Sequence, residues 1–179
     1  HAHYQHQGPD PYLVQLVLEL RGALDLARLR RALDALLARH ASLRTAFVQD
    51  RLGRPLQLVL ARCTMPWLHH DLRELAPAER AAHAASLEAQ DLHTRFALER
   101  APLMRATLLV LGPDEHRLLL SQHHALGDGW SGPLLFDDLV RLYRHDGRPE
   151  ALEPPPSLRE YLAWLQAQDR EGARSGWAQ

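Results

Sequence analysis

The stretch SQHHALGDGWS at residues 121–131 follows an apolar run, RLLL at residues 117–120, and precedes an amphipathic segment, LLFDDLV at residues 134–140. These flanks predict a strand, then a tight loop bounded by glycine, then a helix. Neighbouring side chains on a strand point to opposite faces, so His123 and His124 cannot easily ligate one metal ion or share one role. The pattern therefore predicts that one histidine faces a cleft and the other faces the interior.

The composition is that of one globular domain. The chain has 179 residues, of which 46% are hydrophobic and 24% are charged, as is typical of a protein with a real hydrophobic core. A formal net charge of -1 gives no electrostatic signature for nucleic acid or an anionic membrane, and no apolar run approaches the length of a membrane span. We therefore expect neither nucleic acid nor membrane among its partners.

The residue types that are missing exclude several kinds of chemistry within this chain. The chain has 21 arginines and no lysine. This excludes a Schiff-base lysine, a pyridoxal-phosphate enzyme and a Walker-type phosphate loop. Cys63 is the only cysteine, so neither an internal disulfide nor a cysteine-based zinc cluster can form. His69 and His70 diverge if they lie on a strand, and we expect no metal site. The lone cysteine and the absence of a signal-peptide pattern favour a cytoplasmic location.

Hydrophobic periodicity and turn residues predict strands and helices along the whole chain. Apolar residues at even positions favour a strand at 12–20, and a leucine stripe behind Asp25 favours a helix at 26–40. The other predicted elements are a hairpin of strands at 43–48 and 55–60, a short edge strand within 63–71, a helix at 77–92, a hairpin of strands at 103–111 and 116–122, and helices at 132–144 and 158–170. The last helix begins with a capping box formed by Ser157 and Glu160.

The loop at residues 121–131 resembles the HHxxxDG motif of the condensation domains of nonribosomal peptide synthetases, which belong to the chloramphenicol-acetyltransferase-like superfamily. The four fixed positions are matched by His123, His124, Asp128 and Gly129. The Trp-Ser pair that follows, at positions 130 and 131, is similar to the condensation-domain form of the motif.

Three further stretches are similar to this family. Residues 39–47 resemble the RHxxLRTxF motif, and residues 96–106 resemble F-D-L-x-x-x-P-L-x-R-A with Ala97 in place of the usual aspartate. Tyr161 and Trp164 align with the aromatic residues of a Y-x-D-Y-A-V-W-Q element. These stretches occur along the chain in an order that matches the family.

The resemblance implies an α/β fold, a chloramphenicol-acetyltransferase-like sandwich with a mixed or antiparallel sheet and flanking helices. Family domains have two such lobes that face each other across a tunnel, and this chain carries motifs of the N-terminal lobe only. The first family motif, S-x-A-Q-x-R-x-W, is missing ahead of Tyr4. We therefore expect residues 1–179 to be an N-terminal lobe without its C-terminal lobe, and we expect the isolated lobe to be inactive.

The activity that the resemblance implies is peptide-bond formation between a donor acyl or peptidyl thioester and an acceptor aminoacyl amine. Both groups are carried on the phosphopantetheine arms of peptidyl carrier proteins, so we expect no cofactor bound in the chain itself. The implied partners are the donor and acceptor carrier proteins, the C-terminal lobe and the adjacent synthetase modules.

The resemblance also implies roles for the motif residues. His124 accepts the amine proton or hydrogen-bonds the tetrahedral species, and such general-base catalysis typically contributes about 10²- to 10⁴-fold. Asp128 forms a buried ion pair with Arg44 that fixes the loop. Gly129 permits close backbone approach, and its amide lies near a helix start, where it can stabilise an oxyanion. The supporting residues, which shape the loop or line the channel, are His123, Arg44, Trp130 and Ser131.

Two other functions are compatible with the same motif. One is a sister acyltransferase or an epimerization domain, although the Trp-Ser pair and the RHxxLRTxF match favour condensation. The other is a non-catalytic lobe that only docks carrier proteins. The intact His124 and Asp128 argue against that alternative, whereas the expected absence of a second lobe argues for it.

Overall fold

Six strands and four α-helices form the regular structure of the computed structural model, which describes residues 10–169. The strands are β1 (Leu13–Arg21), β2 (Thr45–Gln49), β3 (Pro55–Val59), β4 (Trp67–Asp71), β5 (Met104–Gly112) and β6 (Glu115–His123). The helices are α1 (Leu26–Arg39), α2 (Pro77–His93), α3 (Ser131–Arg144) and α4 (Leu158–Gln166). Every predicted element is present near its predicted position, but the last helix ends at Gln166, before its predicted end at Arg170, a residue outside the described range. None of the described helices is long and apolar enough to cross a membrane.

The central sheet has the strand order β1-β6-β5-β4. The β1–β6 and β6–β5 pairs are antiparallel and the β4–β5 pair is parallel, so the sheet is mixed. Strand β6 is an inner strand, with Ser121 opposite Gln15 of β1 on one side and opposite Arg105 of β5 on the other. Its last residue, His123, begins the loop that carries the HHxxxDG sequence.

The two faces of the sheet are covered by different helices, because alternate residues of a strand point to opposite sides. On one face, Leu108 of β5 packs in a cluster with Leu33 of α1 and Leu142 of α3. On the other face, its neighbour Leu109 packs in a cluster with Ala84 of α2. The domain therefore has three layers, with α1 and α3 together, the sheet in the middle and α2 opposite.

Helix α1 forms where the leucine stripe predicted it. Leu29, Leu33 and Leu36 recur every three or four residues and are all buried. Burying a leucine side chain contributes about 2 kcal/mol, so this stripe is a large part of the core. The Asp25 carboxylate accepts a hydrogen bond from the Arg28 amide at 2.9 Å and caps the first turn.

Strand β1 is only partly covered. Its alternating pattern predicts that the even-numbered side chains are buried, and Leu18 and Leu20 do pack against the main cluster. Val14 and Leu16, however, are 39% and 42% exposed and border a shallow groove shared with Phe136 of α3. The difference lies in what covers this face of β1: within residues 10–169 the main cluster packs against Leu18 and Leu20 but does not include Val14 or Leu16. The pattern thus predicts the second half of the strand correctly and the first half wrongly.

Strand β3 and helix α4 contribute little to the core, whereas β2 buries Thr45 and Ala46. The β2–β3 hairpin is a separate two-stranded sheet in which all five residues of β3 are exposed. Helix α4 has no buried residue, and its aromatic pair, Tyr161 and Trp164, is 53% and 58% exposed. The Ser157 hydroxyl accepts a hydrogen bond from the Glu160 amide at 3.3 Å, so the predicted capping serine does cap this helix.

Candidate functional site

Three strands fix the backbone of the histidine pair. His123 ends β6, and its amide donates to the Leu103 carbonyl, just before β5, at 2.9 Å. The His124 amide donates to the Tyr12 carbonyl, just before β1, at 2.7 Å. The ends of β1, β5 and β6 therefore hold the point at which the loop leaves the sheet.

The side chain of His123 is buried and has a structural partner. It is only 8% exposed, its Nδ1 accepts a hydrogen bond from the Ala125 amide at 3.1 Å, and its ring lies 5.8 Å from the Tyr12 ring, centroid to centroid. An accepting Nδ1 places the proton of the neutral ring on Nε2. Burial lowers the pKa of His123, and the charge of Asp10 only partly opposes this. His123 thus shapes the loop as a neutral residue.

The side chain of His124 is exposed. It begins a single 3₁₀ turn over residues 124–126, whose last residue, Leu126, is anchored in the core. No residue in the described range 10–169 hydrogen-bonds the His124 imidazole. The two histidines therefore differ in burial as predicted, but not through strand alternation, because β6 ends at His123 and His124 lies in the 3₁₀ turn.

Asp128 organises the start of helix α3. Its Oδ1 accepts hydrogen bonds from the amides of Trp130 and Ser131 at 3.1 and 3.0 Å and from the Ser131 hydroxyl at 2.9 Å. These bonds, that of the Ser131 hydroxyl first, hold the pKa of Asp128 below its ordinary value. Asp128 is thus an anion that closes the loop onto the helix, much as a capping residue does.

The predicted ion pair between Arg44 and Asp128 is wrong. Arg44 donates to backbone carbonyls, those of Leu37 at 3.0 Å, Ala61 at 3.1 Å and Leu60. The physical reason is local: Arg44 lies where α1 ends and the β2–β3 hairpin returns, and its guanidinium satisfies the free carbonyls of both. Asp128 meanwhile takes its donors from its own loop and helix.

The RHxxLRTxF stretch reaches helix α3 through a different carboxylate, that of Asp138. Its Oδ2 lies 2.7 Å from Arg39 Nε and 2.8 Å from His40 Nε2. Arg39 also donates to the Glu153 carbonyl at 2.6 Å, and its side chain is only 9% exposed. Burial would raise the pKa of Asp138, but the hydrogen bonds from Arg39 and His40 outweigh it and hold that pKa low. This partly buried cluster joins α1 to α3 and was not predicted from the sequence.

The glycine that permits a close approach is Gly127 rather than Gly129. A Cβ on Gly127 would lie 2.9 Å from both the Cβ and the hydroxyl of Ser131, which is closer than real side chains come. A Cβ on Gly129 would meet nothing within 4 Å in the described part of the chain. Trp130 beside it is 86% exposed. The loop surface around Gly129 is therefore open.

The described residues offer no metal site. Nowhere in residues 10–169 do three or more histidine, cysteine, aspartate or glutamate side chains come close enough to hold an ion. His69 and His70 are successive residues of β4, one exposed and the other partly buried.

The sequence of the whole chain is similar to known proteins. The sequence matches the family model of the Condensation domain over residues 2–179. It is 34% identical over 175 residues to a linear gramicidin synthase of Brevibacillus parabrevis, a match that covers 97% of this chain and 3% of that protein. Malpibaldin synthetase of Mortierella alpina is 40% identical over 166 residues, covering 90% of this chain and 3% of that protein.

Solved structures agree with these sequence matches. The first condensation domain of the calcium-dependent antibiotic synthetase, solved with a substrate analogue, has a TM-score of 0.68 and 29% identity. The match covers 82% of this chain and 34% of that one. The chain thus spans a few per cent of the synthetases it matches and about one third of the solved domain.

Proposed function

The chain belongs to the condensation-domain family, and from that premise we propose that it supplies the histidine-bearing part of a catalytic centre for nonribosomal peptide synthesis. In the proposed reaction, an acceptor aminoacyl amine attacks the carbonyl carbon of a donor acyl or peptidyl thioester. Both groups arrive on phosphopantetheine arms of carrier proteins. A C–N bond forms, the C–S bond breaks, and the proton lost by the amine ends on the departing thiolate.

We assign transfer of the amine proton to His124. The observation that carries the proposal is the contrast within the pair: His123 is buried and hydrogen-bonded, whereas His124 is exposed on a backbone that two other strands hold in place. An imidazole can accept the amine proton and pass it to the thiolate, or hydrogen-bond the tetrahedral species. A fixed backbone with a free side chain is the arrangement that positioning of a general base requires.

The other motif residues support this role through the backbone. We propose that Asp128 shapes the loop, because its carboxylate already accepts hydrogen bonds from the amides of Trp130 and Ser131. Those two amides are then unavailable to a substrate oxygen. The Gly129 amide has no acceptor in residues 10–169 and lies on the open side of the loop. It is therefore the amide that we assign to the developing oxyanion.

We further propose that activity needs more of the domain than this chain. The apolar side chains of α4 lie exposed, including Tyr161, Leu162, Trp164 and Leu165. Exposed apolar surface of this kind marks a contact with another protein segment. Since the chain spans about one third of the solved condensation domain, we assign this surface to the remaining lobe. The carrier proteins would bind to the completed domain, in the setting of neighbouring synthetase modules.

The test is product formation from donor-loaded and acceptor-loaded carrier proteins. We would compare this chain, the chain extended by its natural downstream sequence, and the extended protein carrying His124→Ala. We expect only the extended protein with His124 to form product. An exposed histidine on the far edge strand β4 gives the matched control His69→Ala, which we expect to retain activity.

The alternatives predict different outcomes of the same experiment. An extended protein that binds carrier proteins without turnover would be a docking module. Exchange of the aminoacyl α-proton with solvent, without a new peptide bond, would indicate epimerization. Full activity with alanine at position 124 would overturn the catalytic assignment.

A further inference from the structure

Helix α2 places one carboxylate beneath the site. Asp91, in the last turn of α2, faces the sheet and is 8% exposed. Opposite it lies a row of three polar side chains on three adjacent strands, Gln15 of β1, Ser121 of β6 and Arg105 of β5, which are direct partners in the strand register. Residues paired in this way share one face of an antiparallel sheet. All three therefore point toward Asp91.

Each of the three strands donates a hydrogen bond to the Asp91 carboxylate. Arg105 Nε lies 2.6 Å from Oδ1, Gln15 Nε2 lies 2.7 Å from Oδ2, and the Ser121 hydroxyl also donates to Oδ2. Arg105 donates a second bond to the Asp91 carbonyl at 2.6 Å, and its guanidinium stacks 4.4 Å from the centroid of the Phe96 ring. The carboxylate thus joins β1, β6 and β5 at one level of the sheet.

The same three strands hold the histidine pair a few residues further on. Ser121 precedes His123 by two residues in β6. On the flanking strands, the Tyr12 and Leu103 carbonyls accept the amides of His124 and His123. A shift of any one strand at Asp91 would therefore move one of the groups that fix the pair.

We propose that Asp91 is a positioning residue for His124, acting through the three strands that it joins. This inference rests on the catalytic role of His124 proposed above. Asp91 does not touch the loop itself, so its effect must pass through the strand ends. Because a displacement of about 1 Å at a catalytic group can cost about 10²-fold in rate, a small loosening of these strands is enough to be measured.

A second ion pair on the same helix supplies a matched control. Glu88, three residues earlier in α2, lies 2.5 Å from Arg117 of β6 through Oε1 and Nη1. It ties the same helix to the same strand, but four residues further from the histidines than Ser121. Loss of this pair should loosen α2 without moving the strand ends at the loop.

The experiment uses the extended protein and the variants Asp91→Asn, Glu88→Gln and His124→Ala, assayed well below their melting temperatures. We expect Asp91→Asn to lower kcat about tenfold to a hundredfold, with KM for both carrier proteins within about twofold of wild type. Glu88→Gln should keep kcat within about twofold. Ser121→Ala, which removes one donor, should lower kcat in the same direction and replaces Asp91→Asn if that variant does not fold.

Hydrogen–deuterium exchange of the peptide covering residues 120–127 gives a second measurement that does not depend on activity. We expect Asp91→Asn to speed exchange of the His124 and Ala125 amides, and Glu88→Gln to leave it unchanged. Equal effects of the two variants on kcat and exchange, or no effect of either, would overturn the inference. If His124→Ala proves active, the catalytic proposal fails, and the exchange comparison still decides whether Asp91 holds the pair.

Discussion

Replacing Asp138 tests how helices α1 and α3 are joined behind the loop. In Asp138→Asn the side chain keeps its size, and its amide oxygen can still accept from Arg39 and His40, but the negative charge that both partners share at Oδ2 is lost. Arg39, at 9% side-chain exposure, would then have only neutral acceptors, the amide oxygen and the Glu153 carbonyl at 2.6 Å. Its charge would remain largely buried without a counterion.

The expected cost follows from this burial. Removing one partner of a buried ion pair costs about 3 kcal/mol because the other charge stays desolvated. For a chain of 179 residues, that loss lowers Tm by roughly 6–12 °C. The preceding residue gives the control: Asp137 is 68% exposed and pairs loosely with Arg141 at 3.8 Å. Asp137→Asn should therefore cost less than about 0.5 kcal/mol.

The assay is urea unfolding of the 179-residue chain, followed by circular dichroism and repeated for each variant at pH 7. We expect Asp138→Asn to lower the unfolding midpoint far more than Asp137→Asn. Equal midpoints for the two variants would refute the argument, because they would show that the cluster does not carry the junction of α1 and α3.

Two further predictions concern pH and the loop. Burial lowers the pKa of His40 and of His123 in the folded chain. In the unfolded chain each histidine has a pKa of about 6.5, so near and below that pH the unfolded chain binds more protons than the folded chain. The free energy of unfolding therefore falls as the pH falls through this range. The urea midpoint should be lower at about pH 5.5 than at about pH 7.5. The double variant His40→Gln/His123→Gln should show a smaller difference between the two midpoints. An unchanged difference would contradict the view that these two histidines cause it. Gly127→Ala should destabilise the chain by about 1–3 kcal/mol, because the new Cβ meets Ser131 at 2.9 Å. Gly129→Ala should cost less than about 0.5 kcal/mol, and thermal unfolding that ranks the two glycines the other way would refute this account of the loop.

Local periodicity was sufficient to predict the elements of the fold. The helix predicted at 26–40 is α1, Leu26–Arg39, and the hairpin predicted at 103–111 and 116–122 is formed by β5 and β6. Each of these depends on a repeat of apolar residues that is visible within a short window. The pattern could not show which strand faces are covered by other elements. The first half of β1 is the example: its apolar residues are exposed, because burial depends on which elements pack against them.

Side-chain partners were harder to predict than elements. The Arg44–Asp128 pair was inferred from family resemblance, and the geometry gave each residue nearer partners. Asp138 and Asp91 were missed because a single aspartate in a helix has no pattern of its own. A signal did exist for both: Asp138 shares the helix stripe of Leu135 and Leu142, and Asp91 shares that of Ala84. An acidic residue on the apolar stripe of a helix predicts a buried partner.

The central claim is that His124 moves the proton in peptide-bond formation, and the most direct measurement is the single-turnover rate of bond formation. The extended protein would be mixed with donor-loaded and acceptor-loaded carriers, as wild type, His124→Ala and His69→Ala. We expect His124→Ala to slow bond formation by about 10²- to 10⁴-fold, while carrier binding and the His69→Ala rate stay at the wild-type level. Bond formation at the wild-type rate in His124→Ala would contradict the claim.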